Sequence, residues 1–591
     1  MAKNISLKID GKPCNCEASL TVLEACQKNG INIPTLCYLK DINKEAACSI
    51  CLVEIKGAKN LARSCVTSVK EGMEIATNTP RVRNARKLNM ELLLAGHPKD
   101  CLCCDRNQSC ELRKLAFDMG ISQVRFPKTI KTELPLDTTS VSLVRDPNKC
   151  ILCGRCVSVC SGIQSVKAID FSGRGKSSKV TTFFDSGLAN SVCVNCGQCL
   201  LVCPTGAITE QGATDGVWQE LADPKKFVVV EVAPAVRAAI GEEFGMPAGT
   251  LATAKMTQAL RKLGFAKVFD TQFSADLTIM EEGYELIGRI KNKGKLPLIT
   301  SCSPGWIKFA EHFFPGILGH VSSCKSPQQM FGAIAKTYYA EKYNLDPRNI
   351  VVVSIMPCTA KKFEAKRPEM KSAFAYWKDK LSLKESESFY DVDYVLTTRE
   401  ASRLIKEAGI DFINLAGEDF DAPLGVSTGA AVIFGATGGV MEAALRTAYE
   451  VLTGKNLEKV DFMELRGLTG IKVAEVDIDG LKVKVAVANS LSNARVLLDE
   501  VKAGRSPYVF IEIMTCPGGC IGGAGQPIPT DEAVRLKRIE AIYREDKNKA
   551  LRKSHENPAV QALYKEFLIK PLGEKSHHLL HTHYTERKEV K

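Results

Sequence analysis

The sequence predicts a multidomain protein, α+β in its cysteine-rich first third and α/β beyond it. Three observations carry this expectation. Cysteines fall in tight clusters up to about residue 203, one cysteine pattern occurs twice between residues 140 and 212, and from about residue 224 short β-branched apolar runs alternate with helical segments. At 591 residues the chain is too long for one core. Its 45% hydrophobic and 25% charged residues are those of an ordinary globular protein. No run of eighteen apolar residues occurs, so no membrane insertion is expected. The opening MAKNISLKIDG has no apolar h-region and no twin arginines, so a cytoplasmic location is expected. The net charge of +12 is mild for this length: it suits an acidic redox partner or a merely solvated surface, and no nucleic-acid partner is expected.

In a reducing compartment 24 cysteines are poor disulfide candidates, and at two- and three-residue gaps they read as metal or iron–sulfur ligands. Residues 1–78 begin with a hairpin-like SLKIDGKPCNC and a helical TVLEACQKNG, followed by Cys37, Cys48, Cys51 and Cys65. A tight CxxC with two distant partners suits a [2Fe–2S] cluster held by a loop, with zinc as the open alternative. Cys14, Cys16 and Cys26 lack a fourth partner and read as plain thiols. Residues 79–128 carry a helix, VRNARKLNMELLLAG, and then His97, Cys101, Cys104 and Cys110. Alone this could be a Cys3His zinc site; between two iron–sulfur segments it reads as a [4Fe–4S] site with one imidazole ligand. Cys103 is an extra thiol inside that motif.

In the repeat at 140–212, Cys150, Cys153, Cys156 and Cys160 form C-x2-C-x2-C-x3-C, and Cys193, Cys196, Cys199 and Cys203 repeat it ahead of Pro204. In two-cluster ferredoxins the fourth cysteine of each run ligates the other cluster. One [4Fe–4S] cluster is therefore assigned to Cys150, Cys153, Cys156 and Cys203, the other to Cys193, Cys196, Cys199 and Cys160. A series of one-electron carriers implies a redox centre that it feeds or drains.

Beyond residue 224, KFVVVEVAPA, KLPLITSC, NIVVVSIMPC and YVFIEIMTC read as strands buried on both faces of a mostly parallel sheet. Three of the four end on a cysteine, and loops at the carboxyl ends of parallel strands are where such folds build sites. These cysteines are expected to converge on one pocket.

Three segments carry a family resemblance: Thr300-Ser301-Cys302-Ser303-Pro304-Gly305-Trp306, Met356-Pro357-Cys358-Thr359-Ala360-Lys361-Lys362-Phe363-Glu364, and the run from Glu512 to Pro527 that contains Cys516 and Cys520. Together they resemble the three signature motifs of the iron-only hydrogenases. The preceding modules are similar in order and spacing to those of the larger, multi-cluster members. The resemblance implies a β-grasp [2Fe–2S] ferredoxin-like domain at 1–78, a small His/Cys3 [4Fe–4S] domain at 79–128, a two-[4Fe–4S] ferredoxin-like domain at 140–212 and a large α/β catalytic domain at 224–591. It implies reversible oxidation of H2 to protons and electrons at an H-cluster, a [4Fe–4S] cubane bridged to a diiron unit with CO, cyanide and dithiolate. Electrons would pass to ferredoxin or to a flavin–NAD(P)H-binding partner subunit. Residues 1–212 alone also resemble the iron–sulfur subunit of respiratory NADH dehydrogenases, but an electron wire needs none of the three later motifs. A hydrogen sensor would be expected to carry an added signalling domain.

By the same resemblance Cys358 and Cys516 ligate the cubane and Cys520 bridges to the diiron unit. The commonest first motif has adjacent cysteines, the first a proton relay and the second a ligand. Here Cys302 stands at the relay position and Ser303 at the ligand position. Three replacements stay open, Cys302, Cys324 or Ser303 through its oxygen, and Cys324 is favoured as an unusual cysteine where a usual one is missing. The resemblance puts the proton relay at Cys302, Glu282, Ser322 and Glu285. Glu282 and Glu285 lie three apart in a helical pattern and so share a face. Lys361 is expected to donate to a cyanide, Gln328 and the backbone around Pro234 to touch the diiron unit, and Met356 and Met514 to line it. Ala235 replaces a serine that usually donates. Gly435-Ala436-Thr437-Gly438-Gly439 lacks a phosphate-loop signature and is expected to pack near the cofactor. Lys371 to Ser388 is expected as a surface loop, and the terminal SHHLLHTHYTERKEVK as a polar, basic tail.

Overall fold

The computed structural model describes residues 4–127, 133–478 and 480–587. Parts of three expected modules, residues 1–3, residue 128, and residues 479 and 588–591, lie outside them. The chain forms two compact units, 1–163 with 167–191 and 202–209, and 164–166 with 192–201 and 210–591.

In the first unit the opening hairpin pairs Asn4–Ile9 antiparallel with Lys12–Glu17 across a tight turn at Asp10-Gly11, where both residues have positive φ. Glu74–Ala76 adds parallel to the first strand, and Leu52–Ile55 and Ala62–Arg63 complete a five-stranded sheet. The helix Val22–Lys28 starts at a reciprocal cap between Thr21 and Glu24 and buries Val22, Leu23 and Cys26 against Ile5, Leu7 and Val53. The helix Pro80–Ala95 follows, with Thr79 as its cap and proline at its first position.

The second unit contains two four-stranded sheets where a single mostly parallel sheet is expected. The first runs Lys267–Asp270, Phe227–Val232, Ile350–Met356, Tyr394–Thr397, all parallel. The second runs Leu298–Ile299, Phe510–Met514, Leu481–Asn489, Ile471–Ile478; its last two strands form an antiparallel hairpin and the others are parallel. All four apolar runs named from sequence are strands, two in each sheet. The division could not be read from them, because a strand buried on both faces carries no mark of its neighbour. The helix Thr271–Lys291 is capped by Asp270, which also pairs with the fully buried Arg237.

Residues 164–166 and 192–201, which lie within the expected 140–212 module, pack with the second unit: Gln164 donates to Thr515 O, Gln198 to Gly522 O, and Thr359 to Asn195 O. Two expectations about the second unit change. The 371–388 segment is not a bare loop: Ser372–Lys378 is helical and buries Ala373 and Phe374, with Lys325 and Asp391 forming a buried pair at its start. The terminal segment is tied in through residue 587. Leu579 and Leu580 are buried, His581 bonds Ser323 and Glu281, and Arg587 pairs with Glu311. Two adjacent leucines among polar residues are too short an apolar signal to announce this. Among the described residues no helix is long and apolar enough to cross a membrane.

Candidate active site and metal centres

The carboxyl ends of both sheets open onto one cavity of about 800 Å³. Pro234 and Ala235 follow one strand, Cys302 and Ser303 the short Leu298–Ile299 strand, Cys358 the strand ending at Met356, and Cys516 the strand ending at Met514; all of them line it, with Cys520, Lys361, Gln328, Met356 and Met514. Apolar atoms make up nearly all the rest of its wall. Burial pushes the Cys358 and Cys516 thiols up, and that of Cys520 to about 12. Without a cation these thiols stay protonated; iron coordination is what would make thiolates of them here. Gln328 Oε1 is buried without a hydrogen-bond partner. An apolar, thiol-rich chamber with an ammonium and an unmet polar atom fits an iron–sulfur group with anionic ligands.

The backbone is shaped to the same end. A Cβ on Gly523 would meet Pro357 O at 2.0 Å, and one on Gly519, whose φ is +90°, would meet the Thr437 amide at 2.6 Å. These glycines let the third motif lie against the second and against the 435–439 turn. That turn is a packing element, as expected: Gly435 lines the cavity, and Glu512 accepts from the amides of Gly438 and Met441.

Ser303 and Cys324 separate clearly. Ser303 lines the cavity, its hydroxyl 2.8 Å from Thr515 Oγ1, next to Cys516. Cys324 is fully buried in the apolar core, does not line the cavity, and turns its sulfur toward Glu285 Oε2 at 3.9 Å. This corrects the preference for Cys324 as the missing ligand. The residue is unusual in sequence, but the 322–324 turn aims it back at the helix Thr271–Lys291.

From Cys302 a line of groups leads away. Glu282 is buried, with Ser322 and the Ser301 amide as its nearest donors and no close hydrogen bond; burial, and then the charge of Glu285, push its carboxyl up to about 8. Ser322 donates to Glu285 Oε2, and Arg289 donates to Glu285 Oε1. Burial first, then the charge of Glu282, raise the Cys302 thiol. Lys361 donates to Cys302 O at 3.2 Å and to Glu364 at 2.8 Å, and Glu364 also accepts from Ser326 and Gln328.

In the first unit the cysteine sets assemble as follows. Cys51 and Cys65 place their sulfurs 3.3 Å apart, and Cys37 is hydrogen-bonded to Cys48, whose thiol with the nearby backbone amides draws the Cys37 thiol down to about 6. His97, Cys101, Cys104 and Cys110 line one cavity of about 340 Å³; Cys103 is exposed and does not. His97 Nδ1 lies 2.7 Å from Pro98 O, the bond that selects the tautomer with a lone pair on Nε2. Cys150, Cys153, Cys156 and Cys203 line another cavity of about 440 Å³. Cys160 belongs to the first unit, while Cys193, Cys196 and Cys199 belong to the second, where Cys196 lines the large cavity.

Sequence reasoning missed several groups. Glu231, in the middle of its strand, accepts from Thr271 and Ser354 and is pushed to about 8 by burial. Glu364 holds Lys361 and Gln328, and Gln526 donates to Ala235 O. A lone glutamate inside FVVVEV was a signal in plain view, since a charge at a doubly buried strand position demands partners.

Comparison with known proteins agrees along the length of the chain. Residues 226–524 match the family described as iron only hydrogenase large subunit, C-terminal domain, and 532–587 the iron hydrogenase small subunit. Residues 2–80 match a 2Fe-2S iron-sulfur cluster binding domain, 86–125 the NADH-ubiquinone oxidoreductase-G iron-sulfur binding region, and 149–207 a 4Fe-4S dicluster domain. The chain is 49% identical to the NADP-reducing hydrogenase subunit HndD of Solidesulfovibrio fructosivorans, over 99% of this chain and all of that one. It is 41% identical to iron hydrogenase 1 of Clostridium pasteurianum, over 98% and 99%. A solved apo form of the [FeFe]-hydrogenase HydA1 of Chlamydomonas reinhardtii aligns with a TM-score of 0.55 at 43% identity, over 63% of this chain and 98% of that one. With motifs, cavity and whole-length similarity in agreement, the chain belongs to the iron-only hydrogenase family.

Proposed function

We propose that the chain interconverts H2 with protons and electrons at the large cavity and delivers the electrons along iron–sulfur clusters to a partner protein. The observation that supports this most directly is the meeting of Cys358, Cys516 and Cys520 in one apolar chamber from which Cys302, Glu282, Ser322 and Glu285 lead away. When bound, the H-cluster supplies the metal centre at which the H–H bond is made or broken. Cys358 and Cys516 would hold its cubane and Cys520 its junction to the diiron unit. Ser303, beside Cys516, takes the remaining ligand position through oxygen, and Cys302 serves as the relay thiol. Lys361, fixed by Glu364, presents its ammonium to the anionic ligands, Gln328 and the backbone at Pro234 flank them, and Met356 and Met514 keep water off. The protonated Glu282 carboxyl hands protons between Cys302 and Ser322, and Glu285 with Arg289 connects to the half-buried margin.

The cubane at Cys193, Cys196, Cys199 and Cys160, its neighbour at Cys150, Cys153, Cys156 and Cys203, the His97–Cys110 centre and the [2Fe–2S] site at Cys37, Cys48, Cys51 and Cys65 form the electron chain laid out from the sequence. Similarity along the whole chain to a subunit named as NADP-reducing supports a flavin–NAD(P)H-binding partner as the acceptor, with ferredoxin as the alternative, and a cytoplasmic location suits either. The test is an infrared spectrum of anaerobic protein supplied with the diiron cofactor. CO and cyanide bands that shift under H2 are expected; their absence while the other clusters are intact would leave an electron wire.

A further inference from the structure

The loop that separates the two cysteine runs folds into a hairpin, Asp170–Ser172 against Lys179–Thr181, followed by a turn at Phe183–Asp185. Three phenylalanines on it face outward: Phe171, Phe183 and Phe184 are 45%, 69% and 86% exposed. The Phe183 and Phe184 rings touch, with centroids 4.2 Å apart, and Phe184 has φ +49°, the left-handed region that a bulky residue avoids. Asp185 holds this conformation by accepting from Lys179 and Thr181. An apolar pair kept in water on a strained, braced turn is a costly arrangement for a free surface.

The hairpin reaches directly to a cluster site. Phe171 pairs with Val180, and Val180 and Gly154 both line the cavity of Cys150, Cys153, Cys156 and Cys203. The Phe171 ring lies against that cluster loop, 3.6 Å from where a Cβ on Gly154 would stand. Exposed Lys167, Arg174 and Lys176 flank the aromatics in sequence, and none of them has an ion pair among the described residues; Asp170, and Glu45 against Gly154 beside the Phe171 ring, are the acids there not paired with a cation among the described residues. A basic rim around aromatic anchors, above a one-electron centre, calls for an acidic partner: opposite charge steers the encounter and buried rings hold it.

We propose that this hairpin is the docking site of a small acidic protein carrying a one-electron iron–sulfur centre. Phe171, Phe183 and Phe184 are its anchors, and the cluster of Cys150, Cys153, Cys156 and Cys203 is the port beneath. Each docking transfers one electron, oxidising the reduced centre of one protein as it reduces that of the other, and two dockings account for the two electrons of one H2. The inference rests on the electron chain proposed above.

The test uses cluster-loaded full-length protein and a purified acidic two-[4Fe–4S] ferredoxin, with the dissociation constant read by calorimetry at low salt and at about 150 mM salt. Arg174→Glu combined with Lys176→Glu is expected to weaken binding about tenfold or more at low salt, and less at the higher salt. Phe183→Ser combined with Phe184→Ser is expected to weaken it at both, with an unchanged melting temperature. H2 oxidation with methyl viologen should be the same in all variants. Charge reversal at the two exposed positions does not threaten the fold, so an unchanged affinity in that variant, or no binding by the unaltered protein, overturns the docking site. Lost viologen activity in the unaltered protein would instead strike at the proposed function, since the affinities are measured without turnover.

Discussion

Ser322 donates a hydrogen bond to Glu285 Oε2 at 2.8 Å, while Arg289 binds the other oxygen of the same carboxylate at 2.6 Å. This clamp fixes the outer half of the proposed proton line, whose inner half, Glu282, makes no close hydrogen bond. A carboxyl held loosely between two hydroxyl or thiol neighbours can turn to either, which is what a shuttle needs.

The first prediction follows from that asymmetry. Glu282→Gln keeps the shape and removes the titrating proton, so turnover is expected to fall by roughly 10²- to 10⁴-fold, with the cluster signals in electron paramagnetic resonance unchanged. In the unaltered protein the Glu282 acid ionises near about 8, so H2 evolution, which draws protons inward, should decline as pH rises through that value. A near-normal rate in the Gln variant would remove Glu282 from the line.

Ser303 sets the second. If its oxygen completes the cubane site, Ser303→Ala loses the cubane signal while the other clusters persist, and Ser303→Cys retains it. Cys324→Ala should leave the cubane untouched, because that sulfur faces Glu285 and not the cavity. A full cubane signal in Ser303→Ala would move the ligand to Cys302.

Much of this site was legible because its chemistry is carried by rare residues at tight spacing. Thiols repeated at two-residue gaps have few readings other than metal ligands, so Cys150, Cys153 and Cys156 declare themselves, and strands buried on both faces announce where the loops gather. What stayed hidden depends on direction. Cys302 and Cys324 are both cysteines after a serine, and only the turn at 322–324 tells that one faces the cavity and the other the helix. Glu364 was visible within its motif, but its grip on Lys361 and Gln328 joins residues that sequence leaves more than thirty positions apart.

A third prediction concerns the His97 centre. A Cβ on Gly206 would stand 2.7 Å from the Cys104 sulfur, with the Lys149 side chain on its other flank at 3.4 Å. Gly206→Ala should therefore displace Cys104 and lower the occupancy of this cluster alone, seen as a loss of about four iron atoms per chain if it is a [4Fe–4S] centre. Iron content equal to that of the unaltered protein would mean the loop gives way without cost.

The last prediction concerns Glu231, which burial holds near about 8 although Thr271 and Ser354 donate to it. An unfolded glutamate ionises near its ordinary value of about 4. Between those values the folded chain holds a proton that the unfolded chain has released, so stability is full below the lower value and drains as pH rises toward the upper one. The slope is about 1.4 kcal/mol per pH unit from this residue. Glu231→Gln cannot ionise, and it stays hydrogen-bonded once one of the two hydroxyls turns to accept from its amide NH2, so it should lose less stability than the unaltered protein between pH 5 and pH 8. Asp276 and Glu282, also raised, drain both proteins alike and cancel in the comparison. The check is the melting temperature of metal-free protein across that range. Parallel curves would mean that Glu231 is ionised in the fold, balanced by Lys361 and the two hydroxyls.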